Sequence, residues 1–228
     1  MTDPAAFQRR SPLQHVLSEL LVPFVPLADV SIADSRDTSG AAGRLGLADL
    51  SPLPRLGFKG RGTIPAMQKR GIVVENAPNR AFRQPDGSLC LVLAASEVVL
   101  LSNLAGDGEA LARYEAEWRI EDEERTYPLL RRDSSAWFAV TGARAPEMFA
   151  KICGIDLRPH KFADLAIAQT SVARLTAIIT REDRPAGTLF HLLVDSASAA
   201  YFFDCLRDAA AEFDGKIIGI SAVRGGTS

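Results

Sequence analysis

The chain has 228 residues, 47% of them hydrophobic and 24% charged, and a formal net charge of -2. That is the balance of a globular protein with room for one large domain or two small, closely packed ones. With 26 basic residues against 28 acidic ones, no cationic surplus exists to neutralise a phosphate backbone, which argues against nucleic-acid binding. The apolar stretch 16–30 is broken by Ser18, Glu19, Pro23, Pro26 and Asp29, and the stretch 89–101 is short and carries Ser96 and Glu97. Neither reads as a secretory signal or a membrane span, so a cytoplasmic protein is expected. Cys90, Cys153 and Cys205 lie far apart in apolar or helical surroundings and read as buried thiols rather than disulfides or metal ligands.

Residues 1–12 read as a polar, flexible lead. Ser11-Pro12 then opens a helix over Leu13–Leu21, with Ser as cap and Pro in the first turn, and Pro23 and Pro26 end it. The small, polar run 31–44 is expected to be a surface loop. Leu45–Leu50 and Arg55–Lys59 are strand candidates. Gly60-Arg61-Gly62 turns, Thr63 caps a helix over Ile64–Arg70, and Gly71 stops it. Residues 76–88 read as a polar loop. Leu89–Leu93 and Val98–Ser102 form a hairpin, Asp107–Trp118 is an amphipathic helix, and the charged run 121–125 is a solvated connection.

The second half follows the same plan. Trp137–Thr141 is a strand, Gly142-Ala143-Arg144 a turn, and Ala145–Lys151 a helix with Pro146 in its first turn. Leu175–Thr180 and Thr188–Val194 are strands around a turn at Asp183–Gly187. Ser196 or Ser198 caps a helix running to Phe213, and Lys216–Val223 is a last strand. Phe58 to Pro65 and Val140 to Pro146 echo each other in residue type and order: strand, glycine turn, Pro-initiated helix. The expected fold is α+β, with two pseudo-repeated β-α-β-β-α-β-like halves. The boundaries are 1–44 for the lead and loop, 45–125 for the first half and 126–228 for the second.

The chemistry-bearing residues point away from catalysis. His15, His160 and His191 show no metal-ligand spacing, and His191, next to Phe190 and Leu192 in a strand, reads as structural. Gly57-x-x-Gly60-x-Gly62 lacks the ending of a P-loop and the order of a dinucleotide site, so it reads as a structural turn. There is no Gly-x-Ser-x-Gly elbow. Arg131-Arg132, Arg181 and Arg184 read as exposed or paired with neighbouring acids. Phe24, Leu53, Phe82 and Phe162 fall in expected loops, where a partner could cover them, and Arg80 near Phe82 is the type of pair that anchors an interface.

Three ordered stretches resemble the aminomethyltransferases of the glycine cleavage system: Gly46-Leu47-Ala48-Asp49-Leu50-Ser51 with Phe58-Lys59-Gly60, Trp137 to Ala145, and Phe213-Asp214-Gly215-Lys216 to Ala222. Within that superfamily the chain is most similar to the gamma subunit of heterotetrameric sarcosine oxidase. The similarity lies in Ser11-Pro12-Leu13, Ala77 to Ala81, Gln169 to Leu175 and Ala200-Tyr201-Phe202. Two of the superfamily's folate segments are altered. The acidic pair that follows a glycine is replaced at Asp86 to Leu91, leaving Asp86 as a turn former, and the second segment reads Ile179 to Gly187 without its aromatic residue.

The resemblance implies an aminomethyltransferase folate-binding-domain-like fold without the C-terminal barrel. It implies a non-catalytic gamma-type subunit that acts in assembly of a sarcosine oxidase-like, N-methyl amino acid oxidase or dehydrogenase complex. Flavin, NAD and tetrahydrofolate would then belong to larger partner subunits, with no cofactor or metal on this chain. Pro12, Leu13, Asn79, Arg80 and Phe82 are the expected interface residues. The rival reading is a stand-alone folate-binding or folate-dependent one-carbon transfer protein. It needs a free carboxylate, for which Glu97 and Asp183 are the candidates.

Overall fold

The computed structural model describes residues 7, 9–35, 40–120 and 124–225. In chain order it begins with α1 (Gln14–Glu19), β1 (Phe24–Leu27), β2 (Val30–Ala33), α2 (Ala41–Arg44) and β3 (Gly46–Asp49). Next come β4 (Arg55–Gly60), α3 (Thr63–Lys69), β5 (Arg80–Arg83), β6 (Leu89–Ala94), β7 (Glu97–Leu101), α4 (Glu109–Glu117), β8 (Thr126–Leu129) and α5 (Arg131–Ser134). The remainder is β9 (Ser135–Thr141), α6 (Ala145–Phe149), β10 (Ile167–Val172), β11 (Leu175–Arg184), β12 (Gly187–Asp195), α7 (Ala199–Ala211), β13 (Lys216–Ile217) and α8 (Ile220–Arg224). The fold is mixed α+β. Two compact units form, one from residues 1–52, 135–164 and 168–228, the other from 53–134 and 165–167.

The unit around residues 53–134 is built on an antiparallel sheet of order β5-β6-β7-β4-β8. Alternate residues of its central strands share one face: Leu56 lies opposite Leu100, Phe58 opposite Val98, Cys90 opposite Leu100 and Val92 opposite Val98. With a side-chain period of two, that register sends all six into one core with Ile64 and Met67 of α3 and Leu111 of α4. Phe58 and Trp118 pack with ring centroids 4.1 Å apart. Arg55 is only 3% exposed. Its guanidinium donates to the carbonyls of Leu53 at 3.0 Å, Arg131 at 3.1 Å and Arg132 at 2.8 Å, satisfying backbone acceptors around α5.

The other unit holds a sheet of order β10-β11-β12-β9-β3-β13, with β1 and β2 forming a separate two-stranded sheet. Strand β9 is buried along its whole length between β12 and β3. Helix α7 covers it. Phe138 meets Phe202 and Phe203 at centroid distances of 5.5 and 5.9 Å, and each such buried aromatic contributes about 2 kcal/mol of hydrophobic burial.

Several expectations are corrected by long-range contacts. Within 31–44, Ser31, Ile32 and Ala33 are buried in β2 and Ala41–Arg44 is helical; 36–39 lies outside the described residues. The stretch 76–88 contains β5, an edge strand paired with β6. Of 121–125, residues 121–123 lie outside the described residues, and Glu124 is not simply solvated: it pairs with Lys69 and Arg70 at 3.0 Å each. Thr63 does not cap its helix; its hydroxyl donates to the Gly60 carbonyl. Before α7, it is Asp195 rather than a serine whose side chain caps, accepting from the amide of Ala197. The last strand ends at Ile217, and Ile220–Arg224 is helix.

The β10–β11 hairpin turns through Ala173 at φ 49° and Arg174 at φ 67°. Two consecutive positive φ values make the mirror-image turn that favours Asn-Gly, and each non-glycine residue there costs about 1 kcal/mol. The double variant Ala173→Asn, Arg174→Gly is expected to raise stability by about 1 kcal/mol in urea titration. A loss of stability would mean that side-chain contacts at the turn outweigh its backbone strain.

Candidate functional site

Glu97 opens β7 directly opposite Lys59 of β4. Such a cross-strand pair of opposite charges is a local consequence of the register. Its carboxylate accepts from Lys59 Nζ at 3.0 Å and from Arg131 Nη2, so both oxygens are committed. In the other unit Asp183 is held as fully. Arg181 reaches it with Nε at 2.9 Å and Nη2 at 2.7 Å, and Thr188 Oγ1 donates to it at 2.8 Å. The third guanidinium nitrogen of Arg181 donates to the carbonyls of Phe162 and Pro159. This fork-shaped pair therefore fastens the loop at 159–162 rather than presenting a free base. Asp86 keeps the role of turn former, accepting from the amide and hydroxyl of Ser88 at 2.9 and 2.6 Å.

A polar relay that escaped the sequence reading lies inside the six-stranded sheet. Trp137 Nε1 lies 3.2 Å from His191 Nδ1, and His191 Nε2 lies 3.1 Å from Glu182 Oε2. An indole nitrogen only donates, so Nδ1 accepts and the ring proton sits on Nε2, which donates to Glu182. His191 is 2% exposed and structural, as its strand context implies. The signal that could have found the relay is register. Thr180 faces His191, Glu182 faces Leu189 and Trp137 faces Leu193, so the three polar side chains lie on one diagonal of one face.

Asp49, in the Gly46-to-Ser51 motif, is buried at 3% exposure. It accepts from Ser11 Oγ and from the amide of Ser51, while Ser11 Oγ accepts from the Leu13 amide at 2.9 Å. This ties the start of α1 to β3. Leu13, expected at an interface, is fully buried within the chain and offers no exposed contact area. Pro12 is half-buried. Asn79 and Arg80 are exposed in the other unit, and Phe82 packs partly against that unit's core. Phe24, Leu53 and Phe162 are buried in the chain itself, so these apolar residues do not await a partner.

Two grooves of about 700 Å3 each lie beside α7. One is lined by residues of 150–154, Ala173, Arg174 and the α7 side chains Tyr201, Asp204, Cys205 and Asp208; the other is shared by α7 with 20–23 and 215–217. Neither contains Glu97, Asp183 or the relay. No group of three or more His, Cys, Asp or Glu suited to a metal ion occurs among the described residues, and no helix is long and apolar enough to cross a membrane. The three cysteines are free. Burial pushes the Cys90 thiol up to about 12, which keeps it in the unreactive protonated form. Ellman's reagent at pH 8 is therefore expected to leave Cys90 unmodified in the folded protein and to reach it only in denaturant. Rapid native-state labelling at Cys90 would show that its unit opens.

A scan of protein-family models and a search of curated proteins give no match. Solved structures do match. A chain of heterotetrameric sarcosine oxidase from Corynebacterium sp. U-96, solved in complex with pyrrole 2-carboxylate, superposes with a TM-score of 0.64 at 18% identity, over 90% of this chain and 96% of that one. The glycine cleavage system aminomethyltransferase T from Bartonella henselae superposes with a TM-score of 0.66 at 13% identity, over 92% of this chain but only 59% of the other. At these identities the likeness is one of fold.

Proposed function

We propose that this chain is a non-catalytic, gamma-type subunit of a heterotetrameric sarcosine oxidase-like complex, an N-methyl amino acid oxidase or dehydrogenase, and that it acts in assembly. The observation that carries this reading is the near-complete mutual coverage with a chain of such an oxidase, 90% of one and 96% of the other. The engagement of Glu97 and Asp183 in internal ion pairs supports it. In this reading flavin, NAD and tetrahydrofolate reside on larger cytoplasmic partner chains, and Pro12, Asn79, Arg80 and Phe82 contribute to contacts with them. The test is co-expression with a flavin-containing large chain of a sarcosine oxidase-like complex from the same organism. Co-elution as one stoichiometric complex is the expected result; separate elution of two folded proteins would overturn the reading.

The same reading includes descent from a repeated unit, with a lead at 1–44 and halves at 45–125 and 126–228. Strand order supports the repeat, but with a first copy that runs on through β8 (Thr126–Leu129) rather than ending at 125. With β3 set aside, β10-β11-β12-β9-β13 corresponds position by position to β5-β6-β7-β4-β8. The connecting helices fall in the same places, α3 and α6 after the first strand, α4 and α7 before the last. The rival, a tetrahydrofolate-binding protein, draws support from the likeness to aminomethyltransferase T and is separated by ligand stabilisation.

A further inference from the structure

Helix α7 buries Phe202, Phe203 and Leu206 and turns Asp204, Asp208 and Ala211 outward. One of the two grooves is lined by these α7 side chains together with residues 20–23, which follow α1, and with β13. Leu20 and Leu21 in that lining are 38% and 87% exposed. Leu21 is also held at φ 56°, a left-handed conformation that costs a residue with a Cβ about 1 kcal/mol. An exposed aliphatic side chain fixed on strained backbone is poor surface but good anchor, since such strain collects where a ligand or partner is met.

The charges along the groove are unevenly matched. Asp204 is answered by Arg207 at 3.1 Å. Asp208 on α7 and Lys216 on β13 have no ion pair among the described residues. The groove therefore presents one open acid on its helix wall and one open base on its strand side. Ser35 Oγ donates to the Ile217 carbonyl at 3.0 Å, so the outer edge of β13 is partly closed. An occupant enters with side chains rather than as an added strand.

We propose that this groove docks a segment of the larger partner chain that lays an aliphatic side chain against Leu20 and Leu21. That segment sets a lysine or arginine against Asp208 and an aspartate or glutamate against Lys216. This rests on the subunit reading and names the surface through which it operates. Complementary charges fix orientation and partner choice, while the aliphatic contact supplies the burial.

The test measures binding of the purified full chain to a flavin-containing large chain of a sarcosine oxidase-like complex from the same organism. Leu21→Asp, Asp208→Lys and Lys216→Glu are each expected to weaken binding at least about tenfold, and Lys161→Glu, on another exposed segment, to leave it within about twofold. Leu21 is almost wholly exposed, so its variant remains folded, which melting curves check. A photo-crosslinker at position 21 is expected to attach to a partner peptide carrying both an aliphatic and a basic residue. If the unmodified chain binds and the three variants bind equally well, the groove assignment is overturned while the subunit reading stands. Crosslinks that join two copies of this chain also overturn it. If the unmodified chain does not bind at all, the subunit reading falls first and the groove with it.

Discussion

Replacing Gly60 by alanine is expected to destabilise the unit around residues 53–134 by at least about 3 kcal/mol. Gly60 ends β4 at φ 149°, and an added Cβ would lie 1.8 Å from the Arg125 carbonyl oxygen and 2.8 Å from its carbon. Both are backbone atoms, so no rotamer change relieves the overlap. The strand–helix connection or the approach to β8 must move instead. The corresponding bend in the other unit, Gly142, has φ 103° and would bring a Cβ to 2.4 Å from the backbone of Arg44, so Gly142→Ala is expected to have a comparable cost there. Urea unfolding followed by the fluorescence of Trp118, which packs on Phe58, reads the Gly60 variant directly. A loss under about 1 kcal/mol for Gly60→Ala would mean that the close approach of 125–126 to this turn is not needed for the fold. It would also remove one physical reason for a glycine at both echoed positions.

The second large effect belongs to the buried relay. His191→Leu is expected to cost about 2–4 kcal/mol, because it strips the buried indole nitrogen of Trp137 of its acceptor and removes the imidazole donor to Glu182, whose carboxylate keeps Arg184 Nε at 3.9 Å. Glu182→Leu alone leaves the Nε2 proton of His191 without an acceptor and carries a similar penalty. The double variant should cost clearly less than the sum, since residues in one hydrogen-bonded network are not additive. A double-mutant cycle in urea, with binding to the proposed large partner chain measured on the folded fraction, separates the roles. A structural relay lowers stability and leaves binding unchanged. Full additivity in stability, or lost binding in a well-folded variant, would contradict it.

The sequence was legible wherever a local pattern coincided with the tertiary one. The hairpin of β6 and β7, the long helix α7 and the central strand β9 all carry apolar runs or stripes that burial reproduces. It misled where the deciding partner is remote. Ile217 and Ile218 suggest a continuing strand, yet Asp34 accepts from the Ser221 amide at 2.8 Å and its hydroxyl at 2.7 Å. That bond caps α8 from 187 residues away, and no local window contains it. β5 was hidden because an edge strand needs only one buried residue in its middle, Ala81, between exposed Arg80 and Arg83. Phe24, Leu53 and Phe162 read as available to a partner because loops ordinarily face outward, whereas all three are buried within the chain. At the site, the lack of an unassigned acid at Glu97 and Asp183 could be guessed only in part. Their counter-ions, Arg131 and Arg181, were visible as basic residues near acids, but which acid each would hold depended on register and loop path.

Glu97 and Asp183, the two carboxylates that a folate site would need, are both engaged in internal ion pairs. Scanning calorimetry of the isolated chain with and without saturating tetrahydrofolate tests most directly whether that engagement excludes folate. A native-state ligand at a hundredfold excess over its Kd adds about 2.7 kcal/mol, which at this chain length corresponds to a rise in Tm of about 5–10 °C. The expected result is a Tm unchanged by tetrahydrofolate. A dose-dependent rise of that size would contradict it and would favour the folate-binding alternative.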